Sequence, residues 1–382
     1  MDFALSEDHL AVQEVARGFA EKKLKPRAEE FDAEAKMDRD LIKEMGDLGL
    51  MGITLPEQYG GGEMDAVSYV LTCEELSRGC TSHCGIVMLH NSLYGFPLVE
   101  HGTEEQKQKY LPPICTGEYV GVFALSEPGA GSDAASITTT YTETDDGYLI
   151  NGNKIFVTMG SICNNALVFA IKEKGGGPKA ISAFLVDRDT EGFEIGANEK
   201  KMGFKGSPTT EIAFMDCLVP KENLLGEEGQ GFKIAMSTLD GGRISVGAMS
   251  LGIAQEALDI AVKYSQEREQ FGKPIAAFQA IQFHLADMSV QLEAARNLVY
   301  KAAWLKDAGQ PYSMAAAQAK LFASEMATSV THHAVQVLGG YGYCSEYHVE
   351  RLYRDARVTE LFEGTSEMQR IVIARHLMPR KG

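Results

Sequence analysis

The segment LFEGTSEMQRIVIAR (361–375) sets one carboxylate, Glu363, between the apolar pair Leu361-Phe362 and Gly364. Ser366 and Gln369 have the spacing of a capping box, which predicts a helix entered at Ser366 and puts Glu363 on the turn leading into it. A carboxylate among apolar neighbours is desolvated, its pKa rises, and it becomes a general base useful near neutral pH. By composition alone the plainer reading is a solvated loop glutamate.

Four further stretches carry groups suited to an anionic or flat aromatic ligand. In FALSEPGAGSDAAS (123–136), Pro128, Gly129 and Gly131 force a loop with open backbone amides, to which Ser126, Ser132 and Ser136 add hydroxyls. Such a loop wraps a phosphate or a heteroaromatic ring. It lacks the lysine ending of a P-loop and the spacing of a dinucleotide-binding turn. In KIFVTMG (154–160), strand alternation puts Phe156 and Thr158 on one face, a ring to stack and a hydroxyl to donate. In REQFGKPIAAFQ (268–279), Arg268 ends a helix beside the Gly272–Pro274 turn, where a guanidinium can pair with a pyrophosphate. In VQVLGGYGY (335–343), three glycines exceed what a helix C-cap requires. Read singly, each also has a plain structural explanation: a turn loop, a half-buried strand, a surface arginine opposing a helix dipole, a C-cap.

The elements that must position these groups come in three blocks. Residues 1–119 read as an N-terminal helical domain, with Leu5, Leu10, Val12 and Ala16 starting an amphipathic run, a Pro/Gly turn at 56–65, and helices near 65–80, 83–101 and 104–115 stopped by Pro112-Pro113. Residues 120–228 read as a β-domain of sandwich or barrel type. An Asn151-Gly152 turn, an Asp145-Asp146-Gly147 hairpin and two apolar strands split by the turn at 175–178 are expected there. Residues 229–382 return to helix as a four-helix bundle. One seam runs through Ile281, Leu285, Met288, Leu292, Ala295, Val299 and Ala302, another through Leu251, Ala254, Leu258 and Ala261, with a break at Gly309–Pro311. The fold class is therefore α+β, ordered α-domain, β-domain, α-bundle.

Bulk properties narrow the partners. The 382 residues carry 36 basic and 53 acidic side chains, a formal net charge of −17. That field repels nucleic acid and anionic membrane surfaces. No stretch of about 18 apolar residues predicts a membrane span, and the acidic start MDFALSED is unlike a secretory leader. Seven cysteines without framework spacing point to free thiols in a reducing cytoplasm. Cys80, His83 and Cys84 cluster, but in an apolar helical run with no second pair at ligand spacing. Buried thiols and a satisfied histidine are the reading there, and no metal is expected.

The joint order of the motifs is more specific than any of them. ALSEPGAGSD, the KIFVT strand, LGEEGQGFKIAMSTLDGGR, REQFGKPIAAFQAIQ, AVQVLGGYGY and YRDARVTELFEGTSEMQR resemble the acyl-CoA dehydrogenase family over essentially the whole chain, in that family's order and spacing. The resemblance implies FAD, bound non-covalently between the β-domain and the C-terminal bundle. It implies that Phe123, Leu125, Ser126 and Gly131 line the flavin and phosphates, that Phe156, Val157 and Thr158 flank the ring, and that Thr365, Ser366 and Glu367 close the site. Arg268, Phe271, Gln279, Gln336, Val337, Leu338, Gly339 and Gly340 match positions that reach the FAD of a neighbouring subunit, as in a homotetramer built as a dimer of dimers. Ser132, Phe232, Asp240, Gly241, Gly242, Arg243 and Gly364 match acyl-CoA-binding positions, and Glu363 matches the catalytic base. The implied reaction is α,β-dehydrogenation of an acyl-CoA to the 2-enoyl-CoA, with electrons passed to an electron-transferring flavoprotein.

Within the family, some branches carry the base where this chain has Gly242, and glutaryl-specific members place an arginine where this chain has Cys84 beside Gly85. Neither pattern fits. CGIVMLHNSLYG (84–95) resembles the short-chain, butyryl-type branch, with Met88, Leu89 and Tyr94 expected to floor a shallow pocket and His90 in place of an asparagine. That leaves room for a short straight, branched or alicyclic acyl group. Two other readings stand beside it: an acyl-CoA oxidase or flavin monooxygenase on the same fold, told apart by the oxygen reactivity of the reduced flavin, and a non-catalytic acyl-CoA-binding protein. The joint presence of Glu363, Thr158 and Arg268 speaks against the last.

Overall fold

Helices open the chain: α1 (Glu7–Phe19), α2 (Ala28–Glu34), α3 (Arg39–Asp47), α4 (Ala66–Gly79), α5 (Thr81–Met88), α6 (Phe96–His101) and α7 (Glu104–Cys115). The computed structural model describes residues 4–378. Helix α4 is buried along most of its length, polar Ser68, Thr72, Glu74, Glu75 and Ser77 included, and packs against α1 and the later bundle. Between α5 and α6 the chain widens into a π-helical stretch, Leu89–Gly95. Pro112 and Pro113 do not stop α7, which runs on to Cys115. Thr116 and Gly117 amides still bond back to Pro112 and Ile114 carbonyls, and the final turn survives the missing proline donors.

The strands follow: β1 (Gly121–Ala124), β2 (Thr140–Glu143), β3 (Tyr148–Thr158), β4 (Asn165–Ile171), β5 (Ile181–Asp187), β6 (Phe193–Asn198), β7 (Thr209–Val219) and β8 (Leu224–Leu225). They form one sheet in the order β6-β7-β3-β2-β4-β5-β8, with β1 parallel to β4. Strands β4 and β5, almost wholly apolar, are buried throughout except at Asp187, the last residue of β5. Asn151-Gly152 is not a hairpin turn. β3 runs straight through it, and the register with β7 slips there as a bulge. Gly152 has φ +148°, and a Cβ on it would lie 2.5 Å from Thr139 Oγ1. Only glycine lets β2 and β3 close at that point. The hairpin predicted at 145–147 is present and joins β2 to β3.

The last block holds α8 (Gly231–Glu267), a short hairpin of β9 (Glu269–Gln270) and β10 (Lys273–Pro274), then α9 (Gln279–Asp307), α10 (Ser313–Leu338), α11 (Val349–Ala356) and α12 (Ser366–Leu377). The α9 seam is buried from Met288 to Ala302, with Ile281 and Leu285 half-buried at its start. The α8 seam is likewise buried. Buried polar contacts lock this bundle to the first helices. Asp307 accepts from the Ala66 and Val67 amides at 2.7 and 3.2 Å and so caps α4 from outside, and Arg296 holds the buried Glu74 at 2.7 Å.

Candidate active site

Glu363 sits in the turn between residues 357–360 and α12, with φ +53°, followed by Gly364 at φ +95°. Two successive positive φ values turn the chain sharply and aim the carboxylate inward. The helix begins as expected at Ser366, but its N-cap is Thr365, whose Oγ1 accepts from the Met368 amide. Gln369 does not complete a capping box. It is fully buried, and its Nε2 donates to the Gly364 and Glu363 carbonyls at 2.8 and 3.3 Å. Ser366 is thereby left inside the helix with a buried Oγ that has no partner in the protein.

The Glu363 residue is only half-buried, yet its Oε2 is enclosed and has no hydrogen-bond partner. Burial pushes its pKa up to about 7, against the opposing pull of Lys320 and Arg243. The carboxylate lies against α8. A Cβ on Gly242 would stand 1.9 Å from Glu363 Oε2 and 3.1 Å from Leu93 Cδ2. The next residue, Arg243, is buried and paired with Asp240, its Nε lacking a partner. Glycine at 242 is thus what gives the carboxylate its place. Gly242→Ala is expected to fold, because a flexible side-chain end can swing away. Moving the carboxylate by ~1 Å or more should lower turnover on the order of 10²-fold. Wild-type activity in that variant, with thermal stability unchanged, would show that the Gly242 contact is not needed.

The 123–136 loop leaves β1 beside the bulged strand β3. Its anchor is internal: the Ile155 amide bonds the Ser126 carbonyl at 2.9 Å, and buried Lys154 reaches Glu127 at 2.7 Å and the Leu125 carbonyl at 3.2 Å. A Cβ on Gly129 or Gly131 would meet nothing within 4 Å, so the loop's outer backbone faces open space, flanked by exposed Ser132. A register slip between Lys154 and Val157 gives Phe156 φ +55° and leaves its ring 63 % exposed, with Thr158 half-buried and Val157 inside. Phe156 and Thr158 thus stand less buried on either side of Val157, through a bulge the alternation did not announce.

Arg268, Val337, Leu338, Gly339 and Gly340 come together with Tyr264 and Tyr341 around an open hollow of about 490 Å³. The Arg268 guanidinium lies 5.4 Å from the Tyr341 ring centre. Phe271, on the adjoining hairpin, is 93 % exposed. This hollow is not beside Glu363. Lys320, next to Glu363, and Val337, at the hollow, both lie on α10, and their separation along the helix is about 26 Å. The sequence-predicted cofactor residues therefore fall into two groups that one chain does not bring together.

Tyr94 is not on a pocket floor. Its ring packs against Gly121 and its hydroxyl donates to Asn165 at 2.7 Å, turned into the β-domain. The neighbour that faces Glu363 is Leu93, because the π-helical turn rotates 89–95 relative to an α-helix. His90 is buried between Ile114 and Gly121, accepting from the Gly121 amide through Nε2 and donating from Nδ1 to the Ile114 carbonyl. The cysteines are all free, Cys344 alone being exposed, and no group of three or more His, Cys, Asp or Glu among the described residues could hold a metal ion. No helix among them is long and apolar enough to cross a membrane. Sequence reading missed Leu93, Lys154 and Lys320, and gave Gln369 a different role. A lysine inside an otherwise Ala-rich buried helix face, as at 320, was the one available signal.

Three family domains match in register: the acyl-CoA dehydrogenase N-terminal domain over 6–118, the middle domain over 122–217 and the C-terminal domain over 229–378. The chain belongs to the acyl-CoA dehydrogenase family, FAD-dependent oxidoreductases that dehydrogenate acyl-CoA thioesters. Its likeness is to short-chain members. It is 47 % identical to the short-chain specific acyl-CoA dehydrogenase of Clostridium acetobutylicum, over 98 % of this chain and 99 % of that one. It is 48 % identical to butyryl-CoA dehydrogenase from Megasphaera elsdenii, with TM-score 0.97 over 99 % and 100 % of the two chains. A chain in the structure described as electron transferring flavoprotein of Acidaminococcus fermentans is 52 % identical, with TM-score 0.98 over the whole of both. Acryloyl-CoA reductase (NADH) of Anaerotignum propionicum is 46 % identical over 100 % of this chain and 97 % of that protein.

The residues fit FAD. Phe156 offers an exposed ring, Gly129 and Gly131 offer open backbone, and Ser366 offers a buried, unpartnered Oγ, while the arginine-and-glycine hollow suits a pyrophosphate.

Proposed function

We propose that this enzyme dehydrogenates a short-chain acyl-CoA and that Glu363 is its catalytic base. The observation that carries the reading is the enclosed, unpartnered Glu363 Oε2 on a strained turn against Gly242. With a pKa near 7, the carboxylate is both ionised enough to accept a proton and basic enough to take one from the weakly acidic α-carbon of a thioester. Bound FAD supplies the acceptor for the hydride that leaves the β-carbon. Phe123, Leu125, Ser126, Gly131, Phe156, Val157 and Thr158, with Thr365 to Glu367, hold and shield its ring in this reading. Ser132, Phe232, Asp240, Gly241, Arg243 and Gly364 orient the CoA thioester, and the Glu363 side chain proposed here stays dry between Leu93 and α8.

Short chain length is supported by the packing at Gly85. A Cβ there would lie 2.5 Å from the Phe204 ring, which also meets Phe362 edge-on, so the space against α5 at Gly85 is filled. Butyryl-CoA, or a short branched or ring acyl-CoA, is expected to bleach the flavin faster than octanoyl-CoA or glutaryl-CoA in rapid mixing. A preference for octanoyl-CoA would refute the short pocket while leaving the base assignment in place.

The two separated groups of cofactor residues support an assembly in which Arg268, Phe271, Gln279 and 336–340 serve a neighbour's FAD, in a homotetramer built as a dimer of dimers. The 93 % exposure of Phe271 is in keeping with cover by a second subunit. Arg268→Ala should weaken FAD binding roughly 10- to 100-fold, the worth of a charge-assisted hydrogen bond, and loosen the assembly with it. Sedimentation and FAD content measured together check this, and a monomer that holds FAD tightly contradicts it. We assign an electron-transferring flavoprotein as the redox partner and the cytoplasm as the location, the latter on the free thiols. The acryloyl-CoA reductase relative favours one second reading, the same site run in reverse. A Glu363 carboxyl half-protonated near pH 7 can give a proton to the α-carbon as readily as take one. Initial rates with butyryl-CoA and with a 2-enoyl-CoA, each with its own electron partner, separate the two directions.

A further inference from the structure

A buried lysine with no carboxylate in hydrogen-bond contact needs a reason. Lys320, on α10, is fully buried, and its Nζ donates to the Gly364 carbonyl at 2.8 Å. The same carbonyl takes the Gln369 Nε2 at 2.8 Å, and Gln369 also reaches the Glu363 carbonyl. The two carbonyls of the strained turn are therefore tied from α10 and α12 at once. A non-glycine residue at φ +53° is held there at a cost of about 1–3 kcal/mol and persists only where its surroundings over-determine it.

From this geometry we propose that Lys320 is a positioning residue for Glu363: it clamps the Gly364 carbonyl, fixing the turn that aims the carboxylate, and its charge sets how readily that carboxylate ionises. The proposal rests on the reading of Glu363 as the base. A neutral donor could make the same clamp, so the charge has to be weighed separately. Facing Glu363 are Lys320 from α10 and Arg243 from α8. Facing Lys320 are Glu363, Glu360 from the preceding turn, Arg243, and Glu325 from its own helix. Burial lowers the Lys320 pKa to about 8, with Glu363 and Glu360 pulling it back up. Below that pH the ammonium opposes the desolvation that would otherwise keep Glu363 protonated further into the neutral range. Each charge favours the other's ionised form, so removing one must move the other.

The test is the pH profile of flavin reduction in the FAD-loaded enzyme with butyryl-CoA. Lys320→Met removes clamp and charge, and Lys320→Gln removes the charge but keeps an N–H donor. Both variants should raise the acid midpoint of kcat/KM by about 1 pH unit or more, the usual effect of losing one close opposite charge. Lys320→Met should also lower the high-pH plateau roughly 10-fold or more through misplacement, and Lys320→Gln should lower it less. FAD content and thermal midpoint report folding. If Lys320→Met does not fold, the Lys320→Gln midpoint decides. An unmoved acid midpoint in a folded variant overturns the proposal, even where stability falls, because a merely structural lysine would not shift it. If Glu363→Gln proves active, the base assignment itself has failed. If Glu363→Gln is inactive and the Lys320 midpoints stay put, only the present inference has.

Discussion

Glu363→Gln is expected to bind FAD and acyl-CoA, keep its fold, and reduce the flavin 10²–10⁴-fold more slowly, the range lost with a general base. The amide has the carboxylate's shape and can occupy the same space against Gly242 and Leu93. What it lacks is proton affinity. No neighbour stands ready to substitute: Asp240 is paired with Arg243, Glu360 accepts from Thr328 at 2.5 Å, and Glu367 is exposed. The same variant carries a stability signature. Folding raises the Glu363 pKa from 4.5 to about 7, so the fold prefers the protonated form. The favourable contribution is complete below pH 4.5 and is lost as pH rises through 7. Glu363→Gln should therefore match wild type near pH 4 and exceed it at pH 8, by about 3 kcal/mol at most. Rapid-mixing absorbance and denaturant melts at the two pH values measure both. Flavin reduction within a few-fold of wild type would place the base elsewhere.

Lys154→Met should cost about 3–5 kcal/mol of stability, the usual penalty for breaking a buried ion pair from one side, and should empty the FAD site with it. Lys154 is fully buried and bridges β3 to Glu127 and the Leu125 carbonyl. Glu127 in turn accepts from the Thr138 amide and hydroxyl at 2.6 and 2.8 Å and from the Thr139 amide at 3.0 Å. One carboxylate thus gathers both ends of the 125–139 loop onto the strand that carries Phe156 and Thr158. Burial raises the Glu127 pKa, but Lys154 and the Thr donors outweigh it and hold it down to about 2. Its contribution is present above the unfolded value near 4.5 and fades as pH falls toward 2. Replacing both partners with apolar residues should not restore wild-type stability, because the buried Thr139 amide would lose its acceptor. A loss under 1 kcal/mol with full FAD content would show that the loop is held by something else.

Periodicity and punctuation carried most of the architecture. The three-block order, the α8 and α9 seams, the 145–147 hairpin and the entry of a helix at Ser366 are local features, and each depends on residues a few positions apart. Glu363 was singled out locally, by the apolar pair before it and the glycine after it, but those residues alone left a solvated loop glutamate as the plainer reading. Where the sequence reading departed from the structure, the deciding contact came from far away. At Gly152 an expected hairpin is instead a bulge against β7, with Thr139 closed down on the glycine. A π-helical turn rotated Tyr94 into the β-domain and brought Leu93 to the carboxylate. The backbone needs of the strained turn drew Gln369 away from the capping box and brought in Lys320 from 44 residues upstream. Residue types and spacing determine which groups are able to act. Which of them meet, and what charge each keeps once buried, is set by packing between elements that no local pattern encodes.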